Sequence, residues 1–586
     1  MGPYFIEFFY IVWEDLFMLK ELESYLESIL KELGYEETVA ILPSSKRDLG
    51  WYQVNICMSL AKKYHQNPVE LANLIKDKLD SRFTNVNIAG PGFINFSLDT
   101  NYLMSFLNKN KDNFQTLVPS LESKKVVIDF GGANAAKALH VGHMRSANIG
   151  EALRRLGKLV GYEMISDVHL GDLGRQSGML LSEIKKRGEY LEYFDDSYQG
   201  EYRKVEYTPT DLGKMYVSAN IDAKENEERM AEVREITAEI DKGNQRYLNL
   251  WKQLVAISSI SIKKVYDELN CHFDLFEGEL DAFKDIPKML EKVNPYLYES
   301  EGAMVMDVKE ENDTKEMPPL IVIKKDGATI YATRDLATIY SREERFNPDE
   351  IWYVVDNRQG LYFEQVFRAA YKAQLVKNCN LLHLGFGTIN GTDGKPYKTR
   401  DGGVMELSSL IDLISQEIEK KMKDDIKTNR EEIKKALTIA TLKYADLMSF
   451  RATDYIFDPI KFSSFDGKTG PYLLYTIVRL KSILKKVESE EYEIKKITHD
   501  EELDIYLKIT ELPNIIERSI RDKSLNYITD FLFDLASLFN KFYNTYHILT
   551  EKEIDIKESY LGLVTLVYNV MHNLLDVLAI KEVDQM

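Results

Sequence analysis

Apolar and polar residues change period several times along the chain, and the changes divide it into three regions. In the first, residues 18–120, apolar positions recur at helical spacing from Leu19 to Leu33 and stop at Gly34. Asn67-Pro68-Val-Glu-Leu-Ala reads as a helix start with proline near its first position, and Val86 to Phe96 reads as a Gly90-Pro91-Gly92 turn entering an alternating strand. This predicts an α/β module with no visible catalytic group. In the second region, residues 121–408, the apolar run Val126-Val127-Ile128 precedes a helix-patterned segment carrying Ile149, Leu153, Leu156 and Val160. That segment stops at Gly161, and a new apolar run begins at Met164. Alternating runs return at Leu320–Ile323, Ile330–Thr333 and Ile351–Val355. Between them, about 186–320, lies charged helix (Glu225–Lys242) and amphipathic helix (Trp251–Leu269). A parallel sheet split by an insertion is the expectation. The third region, residues 409–586, is almost wholly helical in pattern, through Ile433–Ala445, Leu473–Val487, Ile505–Ile520, Tyr527–Leu549 and Leu561–Leu578. It predicts an all-α bundle.

A chain of 586 residues suits three or four domains. Its 44% hydrophobic and 29% charged residues are ordinary for a soluble globular protein. Cys57, Cys271 and Cys379 show no pairing pattern and no metal-ligand spacing, which fits a reducing cytosol; no protein-bound metal is expected. The aromatic opening, Met1 to Trp13, lacks a basic flank and is too short to span a bilayer. Residues 1–17 read as an extension, or as an upstream start, ahead of a domain that begins near Met18. No membrane partner is expected, and the location expected is cytoplasmic. A formal charge of −19 argues against a protein that coats nucleic acid non-specifically, and no DNA partner is expected. A local basic surface could still meet phosphates, and Arg479, Lys481, Lys485 and Lys486 recur on helix-patterned segments. Taken alone, they are solvated helix faces.

The sharpest chemical signal is Lys137-Ala-Leu-His140-Val-Gly142-His143-Met-Arg145, between the Val126–Ile128 run and the helix-patterned segment. Two of nine histidines fall within four residues at a strand-to-helix turn, which makes a pair of incidental surface histidines a poor explanation. Strand, turn, helix and strand make a nucleotide-binding βαβ unit with histidines in place of a glycine-rich phosphate loop. His140 and His143 are expected on one face of the first helical turn, aimed at a phosphate on the helix N-terminus, with Gly142 letting the nucleotide approach the backbone.

This signature resembles the first ATP motif of the class I aminoacyl-tRNA synthetases. Asp129-Phe-Gly-Gly-Ala-Asn134 before it and His169-Leu-Gly171-Asp172-Leu-Gly174-Arg-Gln176 after it resemble the arginyl branch. The resemblance covers nearly the whole chain from Met18. It implies an α/β multidomain protein: an N-terminal domain used against tRNA, a Rossmann-type catalytic domain with insertions, and a C-terminal helical anticodon-binding domain. The implied reaction is ATP-dependent activation of L-arginine and transfer to tRNA(Arg), releasing AMP and pyrophosphate, with Mg2+ accompanying ATP, by a monomer. Lys395-Pro-Tyr-Lys398-Thr399-Arg400-Asp-Gly402-Gly403 stands where the class carries a mobile lysine loop that grips the triphosphate. Thr399 replaces the usual second lysine, and the family pattern makes Lys137 the substitute for the lost charge. ATP binding is accordingly expected at His140, Gly142, His143, Lys398, Thr399 and Arg400, with His140, His143, Lys137 and Lys398 catalytic.

Arginine selection needs carboxylates and amides that match a planar guanidinium. By resemblance the candidates are Asp129, Asn134, His169, Tyr331, Asp335 and Gln359. Without the family, Asp335 reads as an ion pair with Arg334 or a helix-start acid. The tRNA candidates are Tyr472, Arg479, Asn540, Phe542 and Tyr543; as isolated residues these aromatics are core by default. Two departures stand out: Gly132 where the family usually has serine, and Leu173 where it has tryptophan. A rival enzyme reading is another class I synthetase or a nucleotidylyltransferase with the same turn, but small nucleotidylyltransferases lack the C-terminal bundle. A non-catalytic tRNA-binding relative is opposed by intact Lys137, His140, His143, Asp335 and Gln359; Gly132 and the altered lysine loop keep it open.

Overall fold

A computed structural model describes residues 17–44, 46–135, 137–325, 327–397, 405–423, 429–487 and 491–586. The opening 1–16 segment therefore lies outside the described residues. The N-terminal module packs the Met18–Glu32 helix, whose Leu19, Leu22, Leu26, Ile29 and Leu30 are buried, near a four-stranded antiparallel sheet. Sequence and structure agree on its punctuation. Gly34 has φ +89°, and Asn67 caps the Pro68–Lys76 helix by accepting the Val69 N–H at 2.9 Å. Gly92, at φ +110°, cannot carry a side chain, since a Cβ would sit 2.7 Å from the Pro68 carbonyl oxygen.

The central sheet is parallel, with Lys125–Asp129 between Glu163–Asp167 and Glu350–Tyr353, and Asn380–His383 at the far edge. Two expectations change here. Leu320–Ile323 belongs to a separate three-stranded antiparallel sheet with Leu297–Ser300 and Ala303–Met306. Ile330–Thr333 is no strand: Tyr331 opens the Tyr331–Phe346 helix. A four-residue alternation cannot separate the two states, and the Thr333 hydroxyl decides locally by accepting the Ile330 N–H at 3.0 Å. The insertion carries the expected helices, Pro209–Glu225, Glu227–Asp241 and Gln245–Glu268, and also the strands Leu297–Ser300 and Ala303–Met306.

The C-terminal region is a bundle of Arg430–Leu447, Gly470–Leu484, Asp500–Thr510, Leu512–Asp522, Asn526–Thr545 and Ile554–Val577. The expected single segment Ile505–Ile520 is two helices. Pro513 cannot donate a helical hydrogen bond in an interior, but is tolerated in the first turn of a new helix, where it lies. No helix among the described residues is long and apolar enough to cross a membrane.

The central sheet meets the bundle through the Val141–Leu159 helix. Its residues Arg145, Asn148 and Glu151 are buried although polar, because they face partners rather than water.

Candidate active site

The chain leaves the Lys125–Asp129 strand for Glu163–Asp167 on one side and returns as Glu350–Tyr353 on the other. That change of direction opens a crevice at the carboxyl ends of the strands, the usual ligand position in such sheets. The histidine turn follows the strand that borders the crevice.

His140 is the N-cap of the Val141–Leu159 helix, with extended φ −116° and ψ 171°, instead of lying within its first turn. The two rings cap the helix reciprocally: the His140 N–H donates to His143 Nδ1 at 3.1 Å, and the Gly142 N–H donates to His140 Nδ1 at 3.1 Å. The rings stack with centroids 3.7 Å apart and planes at 20°. Since each Nδ1 accepts a backbone proton, each neutral ring must carry its own proton on Nε2. Burial holds both rings below the usual histidine range. For His143, burial, His140 and Lys137 bring the value to about 3; for His140, burial acts with Arg358 and Lys137. Both are therefore neutral Nε2–H donors at pH 7. Gly142 serves this arrangement as well, because a Cβ there would lie 3.0 Å from His140 Cε1.

The stem of the lysine loop touches the same turn. Ile389–Asn390 pairs in parallel with Tyr455–Ile456, and a turn over 391–397 closes with Gly391 N–H on the Lys395 carbonyl at 2.8 Å. Beyond the loop, the Met405 carbonyl accepts the Val141 N–H at 3.2 Å, while the Leu407 N–H donates to the Leu139 carbonyl at 2.9 Å. Lys398, Thr399 and Arg400 lie outside the described residues. Lys137 is exposed, its ammonium 5.6 Å from the Tyr216 ring of the insertion.

Behind the turn sits a buried acidic cluster. Asp129 and Asp167, register partners at the strand ends, both accept from Arg342 Nη2 at 2.8 Å. Asp129 is thus already paired with a guanidinium of the protein itself. Burial would raise both carboxyls; Arg342 and His169 hold Asp167 below the usual range, while Asp129 stays raised. His169, at φ +38°, has Nδ1 4.0 Å from Asp167 and Nε2 4.0 Å from Asp335 Oδ1. Asp335 Oδ2 is held by the Tyr362 hydroxyl. Tyr331 and Asp335 share a helix face, as their spacing implies, and Tyr331 is 58% exposed. Arg334 does not pair with Asp335. It lies 3.4 Å from Glu279 and 3.8 Å from Asp241, with its guanidinium 4.9 Å from the Tyr331 ring centroid.

Glu279, Asp172, Tyr362 and Arg342 were not singled out by sequence reasoning. Burial pushes Glu279 up to about 7, against the pull of Arg334, and pushes Asp172 up to about 7. Their one sequence signal is a carboxylate beside glycine, in Glu277-Gly-Glu279 and Gly171-Asp172. Asn134 abuts Gly171, where a Cβ would lie 2.7 Å from its Oδ1. Gly131 and Gly132 have φ +94° and +57°, so a serine at 132 would be strained there. Gln359 is exposed, ending the Asn357–Gln359 turn. Leu173 is fully buried, and its N–H donates to Glu279 at 3.2 Å.

In the bundle, Arg479 donates to Asn540 Oδ1 at 2.7 Å and to the Tyr475 hydroxyl at 2.9 Å, and lies 5.0 Å from the Tyr543 ring centroid. Tyr472 is half-buried, Tyr543 exposed and Asn540 buried. Phe542 is corrected: it is fully buried against Tyr546 and Tyr560 and cannot meet a macromolecule.

Family models match the chain along its length. Residues 20–98 match the arginyl-tRNA synthetase N-terminal domain, 104–459 the class I (R) tRNA synthetase catalytic domain, and 473–586 the DALR anticodon-binding domain. The chain belongs to the arginyl-tRNA synthetase family. It is 40% identical to the arginine–tRNA ligase of Alkaliphilus oremlandii over 97% of this chain and 100% of that protein. It is 41% identical to that of Francisella tularensis subsp. holarctica over 89% and 92%. The fold is also that of the arginyl-tRNA synthetases of Plasmodium falciparum (TM-score 0.79, 21% identity, 97% and 99% covered) and Thermus thermophilus (TM-score 0.78, 21%, 97% and 100%). This arginyl-tRNA synthetase is thereby a class I, ATP-using enzyme, with its histidine turn and acidic cluster inside the matched catalytic segment.

Proposed function

We propose that this enzyme activates L-arginine with ATP in the crevice and transfers the arginyl group to tRNA(Arg). The observation that carries the assignment of roles is the pair of neutral Nε2–H donors at a helix N-terminus, at the same carboxyl end of the sheet as a buried carboxylate cluster. The arginine carboxylate attacks the α-phosphate and pyrophosphate leaves. A tRNA ribose hydroxyl then takes the acyl group and AMP leaves. The protein positions the reactants and stabilises charge on phosphate oxygens. His140 and His143 donate to those oxygens, backed by the helix N-terminus. Mg2+ enters with ATP as part of the substrate. Asp335 offers Oδ1 to the guanidinium, with Glu279 and Tyr331 near it; Gln359 and Asn134 stay as further candidates for the substrate. Asp129 acts indirectly, by fixing Arg342, and His169 places its ring between Asp167 and Asp335. Arginine-dependent pyrophosphate exchange, measured with and without total tRNA, tests the assignment; no exchange under either condition would overturn it. The enzyme is read as a cytoplasmic monomer without membrane or DNA partners.

Lys137→Ala is expected to impair adenylate formation more than Lys398→Ala. A cation beside the histidine turn acts without waiting for a loop to close, and Arg400 can cover part of the loss of Lys398. Single-turnover assays at saturating ATP, arginine and tRNA compare the two, and a worse lesion at Lys398 would return the task to the loop.

The Arg479, Tyr475 and Tyr543 cluster presents a stacked cation to solvent, with Tyr472 on the same helix as Arg479. One such stacking contact is worth about 1–3 kcal/mol to a nucleic acid. Arg479→Ala should therefore raise KM for tRNA about tenfold while kcat changes less than about twofold. An unchanged KM for tRNA would make the cluster purely structural.

A further inference from the structure

The Val141–Leu159 helix places Arg145 two residues beyond His143, and the Arg145 side chain is only 1% exposed. A guanidinium has five N–H donors and no acceptor, so burying it demands several acceptor oxygens around it. Arg145 finds them on segments far apart in sequence. Its Nε lies 3.1 Å from Asp446 Oδ1 in the Arg430–Leu447 helix. Its Nη1 donates to the Thr453 carbonyl at 3.0 Å and reaches the Thr388 carbonyl at 3.5 Å, while Nη2 donates to the Arg451 carbonyl at 3.2 Å. The Tyr455 ring covers the group, its centroid 4.9 Å away.

Those carbonyls belong to the machinery that carries the lysine loop. Thr388 immediately precedes Ile389–Asn390, the strand that leads into the 391–397 turn; Arg451 and Thr453 immediately precede Tyr455–Ile456, the strand paired with it. The two segments are laced by Gly387 N–H on the Arg451 carbonyl at 3.1 Å, Tyr455 N–H on the Thr388 carbonyl at 3.1 Å, and Thr388 N–H on Asp454 at 2.6 Å. They also approach closely, since a Cβ on Gly387 would lie 2.4 Å from the Thr453 carbonyl carbon. Asp446 is in turn held by Asn148 of the histidine helix, Nδ2 to Oδ2 at 3.0 Å.

We infer that Arg145 is a positioning residue for ATP activation: it fixes the stem of the lysine loop, and the Arg430–Leu447 helix behind it, in register with the histidine turn. This rests on the assignment of the histidine turn and loop to ATP. The turn is pinned to the far side of the loop by the Met405 and Leu407 contacts, so Arg145 supplies the near-side anchor. A lysine could keep the charge beside Asp446, but a single nitrogen cannot reach three carbonyls and a carboxylate together. The stem would then be held less tightly against the histidine turn, and small displacements of groups around a triphosphate cost rate.

The test is Arg145→Lys in the full-length enzyme, by pyrophosphate exchange with ATP and arginine varied separately. The expected result is a loss in kcat/KM for ATP of about tenfold or more, with KM for arginine unchanged within about twofold. A purely structural role would lower thermal stability and leave the ATP parameters of the folded protein at wild-type values; that result overturns the inference. Should Arg145→Lys fail to fold, Asp446→Asn decides. It keeps the shape and removes the counter-charge, and is expected to cost about threefold or more on the ATP side alone. Wild-type ATP parameters there would equally overturn the inference. His143→Ala in the same assay separates the two levels. Loss of exchange there, with normal Arg145→Lys, removes only the positioning role; normal exchange in His143→Ala removes the site assignment itself.

Discussion

His143→Ala is expected to lower adenylate formation by about a hundredfold or more, and His140→Ala by a similar factor, since one well-aimed donor to developing charge is worth on the order of 3 kcal/mol. The geometry makes the donors specific. Each Nδ1 is committed to a backbone N–H, so the proton available to a phosphate oxygen is on Nε2. The same bonds mean that neither substitution is silent in stability. Each removes part of a helix cap, a loss of about 1 kcal/mol. The pH dependence has a definite sign. His143 sits near 3 in the folded protein, against about 6.5 for an unperturbed histidine, so below about 6.5 the unfolded chain binds the proton first. The stability that this group contributes is complete above about pH 6.5 and declines as pH falls toward 3. The exchange rate should accordingly show no ionisation of His143 between about pH 6 and 8. A stable mutant with wild-type exchange, or an acid limb near 6.5 that His143→Ala abolishes, would sink the neutral-donor mechanism.

Arginine should be preferred over citrulline and lysine by at least about a thousandfold in charging efficiency, because a site built around buried polar groups rejects analogues that leave those groups unpaired. Citrulline is nearly isosteric with arginine but neutral. It would leave Asp335 without its cation in a region where burial already pushes that carboxyl up. Lysine brings charge but not the planar fork. Asp335→Asn should narrow the gap to citrulline, since the amide no longer asks for a cation. Charging assays with citrulline or lysine within about tenfold of arginine would show that the cluster is not the guanidinium pocket.

Much of this protein could be read from local pattern. Helices with a continuous apolar stripe and a marked end, such as Met18–Glu32 before Gly34 or Pro68–Lys76 after Asn67, follow from residues within a few positions of one another. The histidine turn was legible for the same reason: strand, turn and helix are contiguous, and the reaction needs donors at a helix start. What contiguity could not supply were the partners. Asp129 looked free for a substrate guanidinium until Arg342, 213 residues away, occupied it. Phe542 looked like a nucleic-acid contact until Tyr560 and the bundle core closed over it. Glu279 lay unmarked in the insertion until the fold placed it beside Arg334. Whether a short alternating run joins a sheet depends on a neighbour's free edge, so Leu320–Ile323 went to the small antiparallel sheet and Tyr331 went into a helix. Charge and burial are set by what surrounds a side chain in space, and for Arg145 and Asp335 those surroundings come from segments that meet only once the chain has folded.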